Sequence, residues 1–245
     1  MNEPRIDIMG VGFDPVSLEE AVTLVVGWVG KAPARAVVTP NSEIVEAAQS
    51  HAELRQALVR ADLAIPDGIG VIWASRILGR PLAERVTGAD LVHRLLEEGH
   101  VRGWRLFLLG ARPGVAEKAA YRLAQTHPGL VICGTHHGYF SEAEACSVAQ
   151  RVFDACPDLV LVGMGSPRQE LWIDRYRQQA PGGVFLGVGG VVDLWAGMAP
   201  RAPAWMRRAN LEWLYRIVVF RRFRRAVALL RFAGRTLSHR WQGRD

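Results

Sequence analysis

Residues 104–126 read WRLFLLGARPGVAEKAAYRLAQT, and this stretch indicates the fold class. An apolar run of strand length ends at the turn residues GARPG, and a pattern with helical spacing follows. The same order returns in residues 159–179, LVLVGMGSPRQELWIDRYRQQ, where a buried strand again precedes glycine, proline and a helix. Strands that alternate with helices of about 10–15 residues are typical of βαβ units with parallel strands.

The rest of the chain continues this alternation. Further strands are predicted at 5–13, 36–39, 63–65, 131–134 and 184–188. Further helices are predicted at about 18–30, 42–60, 69–79, 88–98 and 141–155, and Ser17 and Ser141 begin capping boxes for the first and last of them. The sequence therefore predicts a Rossmann-like α/β fold with a mostly parallel sheet flanked by helices in residues 1–197. A helical, basic C-terminal appendage is predicted for residues 198–245.

The charge of the 245-residue chain is divided unevenly. Residues 198–245 hold twelve arginines and two acidic residues, a formal +10, whereas residues 1–197 hold 18 basic and 22 acidic residues. A strongly basic segment indicates a polyanionic partner, which is nucleic acid, an anionic membrane or a phosphorylated substrate. Three cysteines without a CxxC pair exclude a disulfide scaffold and favour reduced thiols.

No targeting or membrane-spanning pattern is visible in the sequence. The first ten residues, MNEPRIDIMG, lack the basic and then apolar regions of a signal peptide. No apolar run reaches the roughly 18 residues of a spanning helix. We therefore expect a cytoplasmic protein and leave peripheral membrane contact open.

Ligands of open parallel α/β sheets bind at the carboxyl ends of the strands. Five predicted strand ends carry glycine or polar residues, at 39–41, 66–68, 110–114, 163–169 and 187–193. Backbone amides in glycine turns suit phosphate or diphosphate, which makes Gly110, Gly163, Gly165 and Gly189 candidate substrate-binding residues. The GxGxxG and GxxxxGK[ST] motifs are absent, so NAD binding and ATP hydrolysis are disfavoured.

Asp67 is the strongest candidate for a catalytic acid or base. It lies between proline and glycine at a strand end, where a rigid turn would hold its carboxylate. An Asx-turn would use the same residue without any catalysis. At the neighbouring strand end, Thr39 and Asn41 would contact sugar hydroxyls or position a leaving group, or else cap the helix that begins at about 42.

Metal and cofactor sites are not expected. His136 and His137 are adjacent, so their side chains point in different directions, and no HxxxH pattern accompanies them. The aspartates form no DxD pair, the grip on metal and nucleotide that many sugar transferases use. The GxSxG motif of serine hydrolases is absent, which disfavours a hydrolase that forms a covalent intermediate.

Several segments, in order, carry a family resemblance: TPNSE (39–43), PDGIG (66–70), RVTGAD (85–90), LLGARPGVA (108–116), VGMGSPRQE (162–170), GVGGVVD (187–193) and LEWLYR (211–216). Together they resemble the WecG/TagA/CpsF family of bacterial glycosyltransferases, from about residue 5 to 225. The resemblance implies metal-independent, inverting transfer of a sugar from a UDP-sugar to a polyprenyl-diphosphate-linked sugar, at the inner face of the cell membrane. Such steps build teichoic acid linkage units, enterobacterial common antigen or exopolysaccharide, with N-acetylmannosamine, N-acetylmannosaminuronic acid or glucose as the donor sugar.

The resemblance also implies roles for particular residues. Asp67 aligns with the proposed base, and Thr39 and Asn41 with residues that line the pocket. Arg85, Gln169 and Asp193 fall on the family's motifs and are expected to be donor-site residues. The family's C-terminal appendage covers the active site and docks on the membrane, and Arg216 would meet the lipid diphosphate. Many relatives continue with a Glu-Pro pair where this chain has FRR (220–222), so the roles of later arginines are left open.

The pattern of residues in the basic segment also predicts an amphipathic helix. Apolar residues recur there at three- and four-residue steps and form a stripe: Trp213, Ile217, Phe220, Phe223, Val227 and Leu230. Such a helix either packs on the main domain with a solvated basic face or lies on an anionic membrane, and we predict the membrane. Two other functions stay open: a basic nucleic-acid-binding protein, although no nucleic-acid-binding signature is present, and a soluble nucleotide-sugar enzyme without a lipid acceptor. A homo-oligomer is possible.

Overall fold

The structure is a computed structural model, and it describes residues 4–200, 202–203, 205–206, 212–219 and 223–242. The strands are β1 Ile6–Ile8, β2 Val11–Phe13, β3 Arg35–Val38, β4 Leu63–Ala64, β5 Arg105–Gly110, β6 Val131–His136, β7 Leu159–Gly163 and β8 Val184–Gly187. The helices are α1 Leu18–Trp28, α2 Ser42–Ala48, α3 Ala52–Arg60, α4 Ile69–Ile77, α5 Gly88–Arg102, α6 Val115–Thr126, α7 Ala145–Asp154, α8 Arg168–Tyr176, α9 Val191–Trp195, α10 Glu212–Val219 and α11 Phe223–Gln242.

The main sheet has six strands in the order β4-β3-β8-β7-β5-β6, and all of its pairings are parallel. The central strands are buried on both faces, because helices cover both sides of the sheet and successive side chains of a strand point alternately to each side. In β7, Val160 and Val162 face one apolar core, whereas Leu159 and Leu161 face the other. Helices cover both faces, which confirms the predicted α/β fold class.

Residues 5–13, predicted as one strand, form the hairpin of β1 and β2 instead. Its turn residues Met9 and Gly10 both have positive φ, +54° and +80°, as a type I′ hairpin turn requires. The hairpin covers the β4 edge of the main sheet. Asp14 Oδ2 accepts a hydrogen bond from Ala64 N at 2.7 Å, and Arg5 Nε lies 3.1 Å from the same carboxylate.

Two predicted helices have different bounds in the structure. Residues 42–60 form α2 and α3 rather than one helix, and His51 Nδ1 caps α3 by accepting from Leu54 N at 3.2 Å. The helix expected from 141 begins at Ala145, because Ser141 and Glu144 form a turn before it. The capping box at Ser17 forms as predicted.

Helix α11 packs against α2 and α4. Phe232 and Thr236 are buried on its inner face, and Phe232 joins the core that contains both helices. Arg235 pairs with Glu46 of α2 at 3.1 Å, and Arg240 donates to the carbonyl of Ile77 in α4 at 2.7 Å. One face of the basic segment therefore rests on the main domain, while the boundary at residue 197 remains a prediction.

A partly buried ion network lies at the amino ends of the strands of the main sheet. Arg177 Nη1 lies 2.7 Å from Asp62 Oδ2, and Arg177 Nη2 donates to the carbonyl of Arg60 at 2.6 Å. The same carboxylate accepts from Arg35 and from the amide of Ala36, both at 2.8 Å. The network thus attaches the short 3-10 helix Arg177–Gln179, which follows α8, to the starts of β3 and β4.

We expect Arg177→Met to lower the free energy of unfolding by about 2 kcal/mol, because it removes a buried guanidinium that donates to the partly buried carboxylate of Asp62 and to the carbonyl of Arg60. Urea denaturation followed by circular dichroism measures this. Arg102→Met removes an exposed pair with Glu98 and should cost less than about 0.5 kcal/mol. Equal losses for the two variants would contradict the role of the network.

Candidate functional site

A pocket of about 390 Å³ lies at the carboxyl ends of β3 and β4. The loops after these strands, the start of α5, and the helices α4 and α11 enclose it. Thr39, Asn41, Asp67 and Arg85 all line it, so the structure brings together four of the residues singled out in the sequence. Their chemical roles remain predictions.

Asp67 lies in the turn that connects β4 to α4. Its backbone amide donates to the carbonyl of Pro40 at 3.2 Å, which ties this turn to the loop after β3. Gly68 follows with φ +100°, a conformation that side chains rarely adopt, and begins α4. The half-buried carboxylate of Asp67 is therefore held at the pocket by a turn fixed on both sides.

Asn41 and Thr39 have structural roles as well as a place in the pocket. Asn41 Oδ1 accepts from the amides of Glu43 at 3.0 Å and Ile44 at 3.1 Å, so it caps α2, as the alternative interpretation expected. A Cβ on Gly88 would lie 3.0 Å from Thr39 Oγ1, so the start of α5 packs closely on Thr39. A side chain at Gly88 would therefore require Thr39 or the start of α5 to shift by a few tenths of an ångström.

The polar part of the pocket combines helix amino ends, one cation and two carboxylates. The amino ends of α4 and α5 both border it, and their backbone amides carry partial positive charge. Among the described lining residues, Arg85 is the cation and Glu43 and Asp67 are the carboxylates. The pocket can thus hold a negatively charged group and present a proton acceptor to it.

The rest of the lining is largely apolar and forms a second wall; the family resemblance implies that the C-terminal segment covers the site, but the residues that form this wall were not predicted. Trp73 and Ile77 of α4 form one side, and Leu229, Phe232 and Leu237 of α11 form the other. Trp73 is 60% exposed, although its indole lines the pocket. The spacing of Ile69, Trp73 and Ile77 marks one face of a helix in the sequence, but nothing local indicates that α11 packs there.

The four candidate glycines lie on the neighbouring part of the rim, at the ends of β5, β7 and β8. Gly110 and Gly163 pack so closely that a Cβ on Gly110 would overlap the carbonyl of Gly163. Gly165 and Gly189 have φ of +78° and +53°. Close packing and left-handed backbone account for all four, and phosphate binding by these turns remains a prediction.

Gln169 ties two of these turns together. Its Oε1 accepts from Gly165 N at 3.2 Å and from Gly189 N at 3.0 Å, and its Nε2 donates to Glu170 Oε1 at 2.8 Å. Asp193, half-buried in α9, lies four residues after Gly189. Neither Gln169 nor Asp193 lines the pocket of Asp67, but Val188 and Val191 do, on either side of Gly189.

The remaining candidates from the sequence are His136, His137 and Arg216, and neither histidine lines the main pocket. His136 and His137 border a second cavity, of about 290 Å³, and His136 Nδ1 donates to the carbonyl of His137 at 2.7 Å. Within the described ranges, no three His, Cys, Asp or Glu side chains are placed to hold a metal ion. Arg216 belongs to α10, whose Trp213 lines the main pocket, but the side chain of Arg216 lies outside the described residues, as does Phe220.

No helix in the described part of the chain has the length and apolar character needed to cross a membrane.

Residues 6–245 match the model of the Glycosyl transferase WecG/TagA/CpsF family. The chain is also 36% identical, over 220 residues, to the N-acetylglucosaminyldiphosphoundecaprenol N-acetyl-beta-D-mannosaminyltransferases of Staphylococcus aureus strains NCTC 8325 / PS 47 and COL. The match covers 89% of this chain and 86% of each relative.

Proposed function

The chain belongs to the WecG/TagA/CpsF family of glycosyltransferases, and on that premise we propose that it transfers a sugar from a UDP-sugar to a polyprenyl-diphosphate-linked sugar. The acceptor named for the Staphylococcus aureus relatives is N-acetylglucosaminyldiphosphoundecaprenol, a lipid of this kind. The same name favours N-acetylmannosamine as the transferred sugar over N-acetylmannosaminuronic acid or glucose.

The observation that carries the proposal is the pocket with one polar and one apolar wall. A sugar and diphosphate would meet Thr39, Asn41, Asp67 and Arg85 on the polar wall, close to the amino ends of α4 and α5. The first isoprene units would lie against the apolar side chains of α4 and α11. An acceptor without a lipid has no isoprene chain to contact this apolar wall, so the wall favours a lipid-linked acceptor over a soluble one.

The proposed reaction is a single displacement with inversion. An acceptor hydroxyl oxygen bonds to the anomeric carbon as the bond from that carbon to the UDP oxygen breaks. Asp67 takes the hydroxyl proton as general base. Arginine side chains and backbone amides meet the charge that develops on the leaving diphosphate.

A screen of UDP-sugars against a short-chain polyprenyl-diphosphate-N-acetylglucosamine tests the proposal. The UDP-sugar that supports transfer identifies the sugar, the mass of the product shows that one sugar was added, and the anomeric configuration of the new bond reports inversion. We expect one disaccharide-lipid, formed from UDP-N-acetylmannosamine. Hydrolysis of UDP-sugars to free sugar, with no transfer to the lipid, would favour the soluble alternative.

We also propose that the protein works in the cytoplasm, bound peripherally to the inner face of the membrane through residues 198–245. Exposed apolar side chains on α10 and α11 support this: Trp213, Val218, Leu230 and Trp241 are 43%, 61%, 75% and 74% exposed. They accompany the formal +10 of this segment. Binding to anionic liposomes but not to duplex DNA at moderate salt would separate this proposal from the nucleic-acid-binding alternative.

We expect EDTA to leave the initial rate of transfer unchanged, because the proposed stabilisation of the diphosphate relies on arginine and backbone amides rather than on a cation. The assay compares rates in protein freed of divalent ions with rates after magnesium or manganese is added. Activity that chelation removes and either metal restores would contradict the metal-independent mechanism.

A further inference from the structure

Glu170 is a buried carboxyl group that the proposed reaction does not use. It is 3% exposed and lies in the first turn of α8. Its Oε1 accepts from Gln169 Nε2 at 2.8 Å, and the side chain of Ser166, in the turn after β7, also interacts with its carboxyl group. Removal from water raises the pKa of Glu170.

The amide of Gln169 has one orientation that satisfies its surroundings. Its oxygen faces two donors, the amides of Gly165 and Gly189, and its nitrogen faces one acceptor, Glu170 Oε1. Rotation of the amide by 180° would place its N–H groups against two other N–H groups. It would also bring its oxygen against the carboxyl of Glu170.

The side chain of Gln169 is also enclosed. A Cβ on Gly187 would lie 2.9 Å from Gln169 Nε2, so strand β8 leaves no room for another side chain there. Gln169 is 4% exposed and reaches the turns after both β7 and β8. Because Gly165 and Gly189 sit in left-handed conformations that glycine leaves readily, the shape of this rim depends on the tie that Gln169 supplies.

We infer that Glu170 is a positioning residue for the UDP-sugar donor: it fixes the amide of Gln169, which in turn holds the two glycine turns in the arrangement that receives the diphosphate. The inference rests on the proposed function. Glu170 itself does not touch the donor and acts on the two turns mainly through Gln169. Its acceptor oxygen, rather than a negative charge, is the property that matters.

The test measures the affinity of the full-length protein for UDP by calorimetry, without acceptor. Glu170→Met removes the acceptor oxygen and should weaken UDP binding about tenfold or more. Glu170→Asp draws the carboxyl away from Gln169 and should also weaken it, which provides a second variant if the first does not fold. Glu170→Gln keeps an acceptor oxygen and should stay within about threefold of the wild type. In transfer assays, KM for the donor should rise in the first two variants while KM for the acceptor stays the same.

A double-mutant cycle separates positioning from general destabilisation. In a Gln169→Met background, Glu170→Met should weaken UDP binding no further, and losses that multiply would overturn the inference. Arg177→Met serves as the matched control, because it destabilises the fold at the other end of the sheet. Equal weakening by Arg177→Met and Glu170→Met, or wild-type affinity in both Glu170→Met and Glu170→Asp, would also overturn it. A wild-type protein that binds no UDP would instead overturn the proposed donor, and this result is distinct from any difference among variants.

Discussion

Asp67→Asn is expected to lower the turnover number about 100-fold or more and to leave the affinity for UDP nearly unchanged. Asparagine has almost the same shape as aspartate, so the turn between β4 and α4 can keep its backbone contact with Pro40. What it loses is the ability to take a proton from the acceptor hydroxyl. Initial rates at saturating donor and lipid acceptor measure the loss, and calorimetry with UDP measures the affinity.

Glu43→Gln is the control for Asp67→Asn, because Glu43 is the other described carboxylate that lines the pocket. Its rate should fall by less than about tenfold, since the proposed reaction needs one base. If Asp67→Asn turns over at close to the wild-type rate, Asp67 is not the base. In that case its place between proline and glycine reflects the turn alone.

Removal of residues 198–245 is expected to abolish both transfer and binding to anionic liposomes while leaving a folded main domain. All the described strands lie before residue 198, so the sheet and most of both cores remain. The truncated protein loses Phe232 and the apolar wall that α11 gives to the pocket. It also loses the formal +10 charge that attracts an anionic surface.

Circular dichroism, liposome sedimentation and a transfer assay measure these three properties. In the intact protein, sedimentation with liposomes should decrease as salt is added, because salt screens the attraction. A truncated protein that transfers sugar at the wild-type rate would favour the soluble nucleotide-sugar enzyme. A truncated protein that does not fold would show that the proposed boundary at 197 cuts through one domain.

A water-soluble acceptor separates anchoring from catalysis in the basic segment. With such an acceptor, Arg216→Ala should still lower the rate at least about tenfold, because a charged partner of the diphosphate is removed. Arg231→Ala, at an exposed position of α11, is the matched control and should have little effect. Wild-type rates for Arg216→Ala with the soluble acceptor would mean that the segment serves as an anchor alone.

The sequence indicates the strands of the main sheet because each is an apolar run that ends at glycine, proline or a polar residue. It also indicates the polar wall of the pocket, since the carboxyl ends of neighbouring parallel strands meet at one edge. Thr39 and Asp67 could therefore be placed together before the structure was known. The hairpin of β1 and β2 could not, because Met9-Gly10 lacks the Asn-Gly or Asp-Gly signal of a two-residue turn.

The apolar wall and the tie at Gln169 leave no comparable local signal. Phe232 meets α2 and α4 across more than 150 residues of chain, and its contacts depend on how the last helix docks. Gln169 was assigned to the donor site from its motif. In the structure its side-chain oxygen accepts hydrogen bonds from Gly165 N and Gly189 N. These contacts depend on the conformations of two turns from different parts of the chain, which no local pattern indicates.

The position of β8 inside the sheet bears on how the chain folds as it is synthesised. Arg35 of β3 pairs with Val184 of β8, so one edge of β3 stays open until most of the chain has left the ribosome. Until then, apolar strands with unpaired edges are exposed to association with other chains. Synthesis that stops before Val184 would leave Thr39 and Asp67 on an unfinished sheet, and such fragments should depend on chaperones to stay soluble.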